Sequence, residues 1–426
     1  MKMREFGFLA GLAWKNLSRY RKRTVITALT IAVGIAIYIW VDAWLLGADK
    51  ESFRNLIWYE TASAKVLTTG YWEEREFLPL SYTVDDPAPI MERIERAGFR
   101  TAPRVAFSGE LIVYEDPYPA DGSLPVRLTA IDPLRDPEVF RLDEHVVEGR
   151  YLEPDDPGIL LGAWLAEDIG AEVGYPITVA TRTKDGGRTT MDLTVIGLLN
   201  TPNPIINRSS AYIPLRYADD SLFMDGSVTE IAVHIPERAD LDAATALIQE
   251  AAAGSGRQNG PTIVVKNWQE LGSDYIQLSA MKSSGTSMIL MLIFIIAAVG
   301  ISNTMLMAVF ERIREIGMMR AIGMKDTEIR ITFMLEAAGI GLIGATAGLV
   351  LGTIFTWATV TWGIDFSFMT RSYDIGYRVA GAFRAAWHPA AMVQAFVFGV
   401  LASMAVAWVP AGKALKKGIT ECLRYQ

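Results

Sequence analysis

Hydrophobic positions gather into four long, nearly uncharged windows, while the rest of the chain alternates apolar and polar residues at shorter intervals. At about 1.5 Å per helical residue each window can cross a hydrocarbon core of roughly 30 Å. Transmembrane helices are therefore expected at 24–46, 288–310, 332–361 and 391–410. The third is longer than a bilayer requires and should tilt or protrude. The first reads as a retained anchor, because its apolar run exceeds the roughly 7–15 residues of a signal peptide and no small-x-small site closes it.

Between the first two windows, 47–287 contains no spanning run. Strand-like runs set off by turn residues stand at 64–68, 109–114, 126–131, 177–183, 193–198, 211–214, 230–235 and 262–265, with helical spacing at 87–97, 163–169 and 241–253. Asp185-Gly186-Gly187 is a hairpin signal. From about Trp268 the pattern turns helical and should feed the second window as a stiff stalk. The expected fold class is an α-helical membrane protein with four transmembrane helices and a large extracytoplasmic α+β domain.

Composition agrees with a membrane protein: 51% of residues are hydrophobic, with a mean hydropathy of +0.23. The net charge of -8 is unevenly placed. Segments 1–23, 311–331 and 411–426 hold 16 cations against six acids, a net of +10, which leaves -18 on everything else. Cationic flanks are retained in the cytoplasm. Both termini and the 311–331 link are thus expected there, with 47–287 and a shorter loop, 362–390, outside. Residues 1–23 space Phe6, Leu9, Ala13, Leu17 and Tyr20 as the apolar face of an amphipathic helix on the inner leaflet.

Candidate chemistry is sparse. His145, His234 and His388 are far apart and stand in no metal-ligand spacing, the single cysteine excludes a disulfide framework, and no GxxxxGK[ST] loop occurs. The informative segment is Glu311 to Ile329, where charged and apolar residues alternate at helical spacing. Ile313, Ile316, Met319/Arg320 and Gly323 mark one side, Gly323 is placed to end the helix, and Met318, Met319 and Met324 suit an adaptable docking surface. The alternative is a solvated turn that only satisfies the charge rule. In the third window Gly344, Gly348 and Gly352 recur at every fourth residue, which lets another helix approach closely: the second or fourth span, or another subunit. Ile35, Ile39, Leu46, Met291, Ile295 and Val299 are candidates for a lipid-facing surface or substrate cleft.

The run ERIREIGMMRAIGMKDTEI, followed by FMLEAAGIGLIGATAGLVLG, resembles the FtsX-like permease family of ABC transporters, and is most similar to its lipoprotein-releasing branch. AWKNLSRYRKRTVITALTIAVGIAI, Ala130-Ile131-Asp132-Pro133, Val147 to Leu152 and PAGKALKKGITECLR extend the likeness along the chain. The resemblance implies an outer domain of the MacB-like periplasmic core type, and a coupling helix at 311–331 that docks on a separate ABC ATPase. By position it makes Glu311, Arg314, Glu315, Gly317, Met319, Arg320, Ala321, Gly323 and Met324 the docking residues. It further implies a second permease chain, identical or related, ATP and magnesium bound by the ATPase and no cofactor on this chain. A bacterial inner-membrane location and mechanotransmission acting on lipoprotein in the outer leaflet follow from it, with a periplasmic carrier as a possible acceptor. Two other family activities stay open: signalling to periplasmic cell-wall hydrolases and macrolide-type efflux. One departure counts against the lipoprotein branch. The hairpin that would hook the carrier, Thr181 to Thr190, is short and polar here.

Overall fold

The computed structural model describes Gly11 and residues 21–115, 118–253, 262–365, 382–416 and 418–424. Most of the expected amphipathic helix over 1–23 and of the outer loop 362–390 lies outside that set. The chain divides into two compact units, one holding the described residues up to Lys50, Leu278–Asp365 and those from Ala382, the other Glu51–Gln277.

Ten strands build the second unit: β1 (Ala64–Thr68), β2 (Arg100–Glu115), β3 (Tyr118–Ile131), β4 (Val146–Gly149), β5 (Gly158–Gly162), β6 (Pro176–Arg182), β7 (Arg188–Leu199), β8 (Ser210–Pro214), β9 (Glu230–His234) and β10 (Ile263–Asn267). Six of them close on themselves in the order β2-β3-β8-β5-β7-β6, because β6 pairs with both β7 and β2. The barrel is mixed: β3 with β8 and β5 with β7 run parallel, the other contacts antiparallel. β9, β1 and β10 continue the sheet beyond β2. Closure removes two edges, and the outer edge at β10 is met by Gln249, whose side chain accepts from Val265 N and donates to Ile263 O. Ile94 and Ile248, on helices Pro87–Arg96 and Leu241–Ala253, join Phe107, Leu128 and Ile159 in the main apolar core.

Four buried charged side chains lie in a row across this sheet. Arg104 on β2 stands opposite Glu230 on β9. Lys65 on β1 donates to both Glu230 carboxylate oxygens at 2.8 and 2.9 Å, and Arg104 makes a two-pronged contact with Asp136 at 2.7 and 2.9 Å, its guanidinium lying over Phe140. Burial alone would raise the Glu230 carboxyl, but Lys65, with Arg104 and Arg127 behind it, outweighs burial and holds it below the ordinary carboxylate range.

The first unit is helical. Its helices include α1 (Arg21–Leu56), α2 (Ser273–Glu311), α3 (Ile313–Ala321), α4 (Asp326–Trp362), α5 (Pro389–Val406), α6 (Trp408–Leu415) and α7 (Ile419–Arg424). Among the described residues three helices are long and apolar enough to cross a membrane: Thr24–Thr61, Asp326–Trp362 and Pro389–Lys413. The expected count of four is corrected to three. Window 288–310 lies within α2, where part of the side chains fall outside the described set, and is not one of them. The expected domain also lacked its barrel: β4 and β5 were not anticipated, and β2 and β3 are far longer than the expected runs.

Gly344, Gly348 and Gly352 face α1, not the second or fourth window. A Cβ on Gly344 would meet Ala28 O at 2.8 Å, one on Gly348 Ala32 O at 2.7 Å, and one on Gly352 Ile39 Cβ at 3.0 Å. Contacts that advance in step mean that α1 and α4 run parallel. Gly341 against Ser403, and Gly399 against Ala345, place α5 antiparallel to both. Ile35 and Ile39, expected at a lipid face or cleft, are about 1% exposed and fill this seam, while Leu46 is half-buried. Their neighbours are glycines, and bulky side chains are what fill the space glycines leave. Met291, Ile295 and Val299 on α2 are exposed. Asp42 on α1 pairs with His388 Nδ1 at 2.6 Å, and Ala386 N donates to Ala43 O, so the chain entering α5 lies along α1.

Two outcomes test these arrangements. Glu230→Gln leaves Lys65 buried without its counter-charge and should destabilise the outer unit by about 3–5 kcal/mol at neutral pH. Because the folded Glu230 value is depressed, its contribution is full above the unfolded value near 4.5 and is lost as pH falls through the folded one. Denaturant titrations of the two proteins should therefore converge below pH 4.5. Gly348→Leu should prevent the close α1–α4 approach, costing about 1–3 kcal/mol or more, read as a lower thermal midpoint in detergent than for Gly34→Ala, whose added Cβ meets nothing within 4 Å.

Candidate functional site

The chain leaves α2 at Glu311, turns at Arg312 and re-enters a helix of nine residues, α3. The inward side of α3 is apolar. Ile313 and Ile316 are buried, the latter with Val309, Ile329, Phe333, Ala411 and Leu415 in a cluster against which Met319 and Met324 also pack. Beneath it an ion pair is sealed off: Arg312 Nη1 donates to Glu336 on α4 at 3.1 and 3.3 Å, and both side chains are 3% exposed. A charge pair so dry is strongly coupled to its geometry, because removing either partner strands the other. It ties the start of α3 to α4 about three turns in from its start.

The far end of α3 is fixed by the backbone. Gly323 adopts φ +96, a left-handed conformation that a side chain would strain, and Gly323 N and Met324 N donate to Arg320 O and Met319 O. The chain then reverses into α4, where Glu328 accepts from Lys325 N and Arg320 pairs with Asp326 at 2.9 Å. Arg330 lies over the Trp408 ring at 4.5 Å. The short helix α7 closes the group, with Cys422 fully buried.

What remains outward is a ridge. Glu311, Arg314, Met318, Ala321 and Ile322 are exposed, Met318 at 53% and Ile322 at 85%. Of the residues expected to dock a partner, Glu311, Arg314, Ala321 and Gly323 are exposed and Glu315 is half-buried. Gly317 is buried, and Met319, Arg320 and Met324 turn partly inward, so the methionines expected to face out do so only at Met318. Ile322 was missed as a docking residue. Its signal was present: 311, 314, 318 and 321/322 recur at helical spacing, opposite 313, 316 and 320.

The ridge also has a defined place in the bundle. Since α1 and α4 run parallel and α5 opposes them, the start of α1 with Arg21 and Lys22, the start of α4 with Lys325 and Arg330, and the region after α5 with Lys413 and Lys416 lie at one end. Cations therefore gather at the same end of the apolar bundle as the ridge.

Comparison with known proteins places these features in a family. Residues 24–251 match the MacB-like periplasmic core domain and residues 287–419 the FtsX-like permease C-terminal region. A lipoprotein-releasing system transmembrane protein LolC from Neisseria meningitidis is 27% identical over 54% of this chain and 56% of its own length. The protein of that name from Xylella fastidiosa is 25% identical over 77% of this chain and 75% of its own. A macrolide export ATP-binding/permease protein MacB from Shewanella oneidensis is 22% identical over 97% of this chain and 60% of its own. The chain thus spans little more than half the length of the first of these relatives. The two matched regions are an outer core domain and a permease region, in that order along the chain. With a core-domain match covering more than half of its 426 residues and a permease match following it, the chain belongs to the FtsX/MacB-like superfamily of ABC-transporter permeases.

Proposed function

We propose that this chain couples ATP hydrolysis on a docked ABC ATPase to movement of its outer barrel domain, and that the work is export of an amphiphilic cargo in the manner of the macrolide-export relatives. The exposed Met318–Ile322 ridge at the cationic end of the bundle carries this reading. A nine-residue helix with an apolar outer edge, fixed at one end by a buried ion pair and at the other by a glycine turn, is built to take a push without deforming. Closing ATPase subunits would displace α3, and the ion pair with Glu336 would carry the displacement into α4 and, through the glycine seam, into α1.

The efflux form is favoured over lipoprotein release by the hairpin of β6 and β7. It closes with Arg182 opposite Arg188 and Thr183 N bonded to Gly187 O, so this hairpin projects no long apolar arm. Lipoprotein release is the second reading, supported by the names of the LolC relatives. In both, the cationic end faces the cytoplasm, the barrel the far side, and two permease chains work together.

Met318→Asp combined with Ile322→Asp should abolish capture of the ATPase by the detergent-solubilised chain, a loss of at least about 100-fold in affinity if both side chains are hot spots. Unchanged capture would remove the docking assignment. Glu315→Ala with Arg320→Ala should weaken it less, because both side chains are partly covered. In proteoliposomes with the ATPase, ATP-dependent discharge of a fluorescent amphiphile with no release of a labelled lipoprotein is expected. The opposite pattern would establish the second reading.

A further inference from the structure

In the outer unit β3 and β8 are neighbours and run parallel, with Ile131 beside Pro214, so their chains leave the sheet at the same end. Chains that leave two parallel strands side by side have to part, and the parting leaves a crevice. Here the chain after β3 turns into Asp136–Glu138 and the chain after β8 into the helix Leu215–Leu222. A cavity of about 330 Å³ opens beside these strand ends, within the size range of small-molecule sites. Pro133, Leu134, Leu215 and Val228 give it apolar walls, and Asp132 and Asp219 bring two carboxylates to the same lining. Leu134 is 74% exposed, so part of the apolar wall faces water while the cavity is empty of any ligand.

Each carboxylate is held through one oxygen. Asp132 Oδ1 accepts from Leu134 N at 3.0 Å and Asp219 Oδ1 from Gly226 N at 2.8 Å, whereas a carboxylate can accept about four bonds. Among the described residues no cation pairs with either, and the nearby cations are committed elsewhere. Arg216, the cation in the lining, pairs with Asp155 at 2.6 Å, Arg135 with Glu95 at 2.6 Å, and Lys184 with Asp85 at 3.7 Å. Asp219 is also fixed in place: Met224 N donates to its carbonyl, bracing a turn in which Phe223 and Asp225 both take left-handed φ values of +57 and +52.

We propose that this cavity binds a small cationic amphiphile, its charge at Asp132 and Asp219 and its apolar body on Pro133, Leu134, Leu215 and Val228. Only the use of the site to hold cargo rests on the export reading; binding does not. An anionic amphiphile would meet two carboxylates of its own sign, and an uncharged one would strip them of water with nothing in return.

The test titrates the full chain, in nanodiscs of uncharged phosphatidylcholine and against empty nanodiscs, with ethidium and with anilinonaphthalene sulfonate, an aromatic cation and an aromatic anion of similar size. Saturable ethidium binding about tenfold tighter than that of the anion is expected. Asp132→Asn with Asp219→Asn keeps an oxygen for Leu134 N and Gly226 N while removing both charges. It should weaken ethidium about tenfold at an unchanged thermal midpoint and leave the anion bound no more weakly. Absence of saturable ethidium binding, an anion bound as tightly as the cation, or full ethidium affinity in the double variant would each overturn the proposal. Should the double variant lower the midpoint, Leu134→Ser at its exposed position carries the test: about threefold weaker ethidium is expected, and unchanged affinity would overturn the apolar wall. ATP-driven discharge of ethidium from proteoliposomes with the ATPase should fall in the same variants. The expected binding pattern with no discharge by any form would keep the site and remove the export reading.

Discussion

The close approach of α1 and α4 orders the membrane unit. Gly344, Gly348 and Gly352 bring the α4 backbone against Ala28 O and Ala32 O, and Ile31, Ile35 and Ile39 drop into the space that missing side chains leave. Lipid tails are as apolar as isoleucine, so helices in a bilayer gain little from hiding hydrophobic surface and associate by fit. Once the two helices are parallel and in register, α5 has a single direction left to it. The cationic ends then fall together and the short helices α3, α6 and α7 form one cluster there. The ridge is a late consequence of a glycine spacing some thirty residues away along α4.

The outer unit solves a different problem. Its sheet is too long to stay open without edges, and β6 closes six strands by reaching back to β2. Four charged side chains buried across β1, β9, β2 and the loop after β3 would be costly singly, yet they neutralise one another in two pairs whose members face each other only in this register. A slip by one residue would turn Arg104 and Glu230 to the opposite face. The charges thus act as a register pin for the strands that extend the barrel, at a net stability that apolar residues could match.

Much of this was legible in the chain, and the failures are instructive. β1 and β8 emerged because short strands buried on both faces stand as apolar runs between turn residues. β5, GILLG, has the same character but lies between Asp-Pro and a helix start and is not among the expected strands. Barrel closure could not be read, since β6 pairing with both β2 and β7 is a long-range choice with no local signature. The four windows were clear as composition, yet hydropathy alone cannot decide how many helices span. The glycine repeat signalled a close helix contact but not its partner, because α1 carries no complementary motif, only isoleucines and alanines.

The coupling segment shows where periodicity is enough and where it is not. A helical wheel separates Ile313 and Ile316 from Arg314 and Met318 correctly, since that division depends on α3 alone. Met319 and Met324, expected on the docking surface, are instead partly covered, because α6 and α4 arrive from far along the chain and pack on them. That expectation also overlooks Ile322, which continues the 311, 314, 318 spacing but lies one residue past the helix end, where the Gly323 turn sets its direction. A residue so exposed and so apolar, directly before a left-handed glycine that holds it outward, is costly to keep in water unless something else covers it. The constraint that puts it there is backbone geometry, and that is why the outward edge of the ridge is rigid as well as apolar.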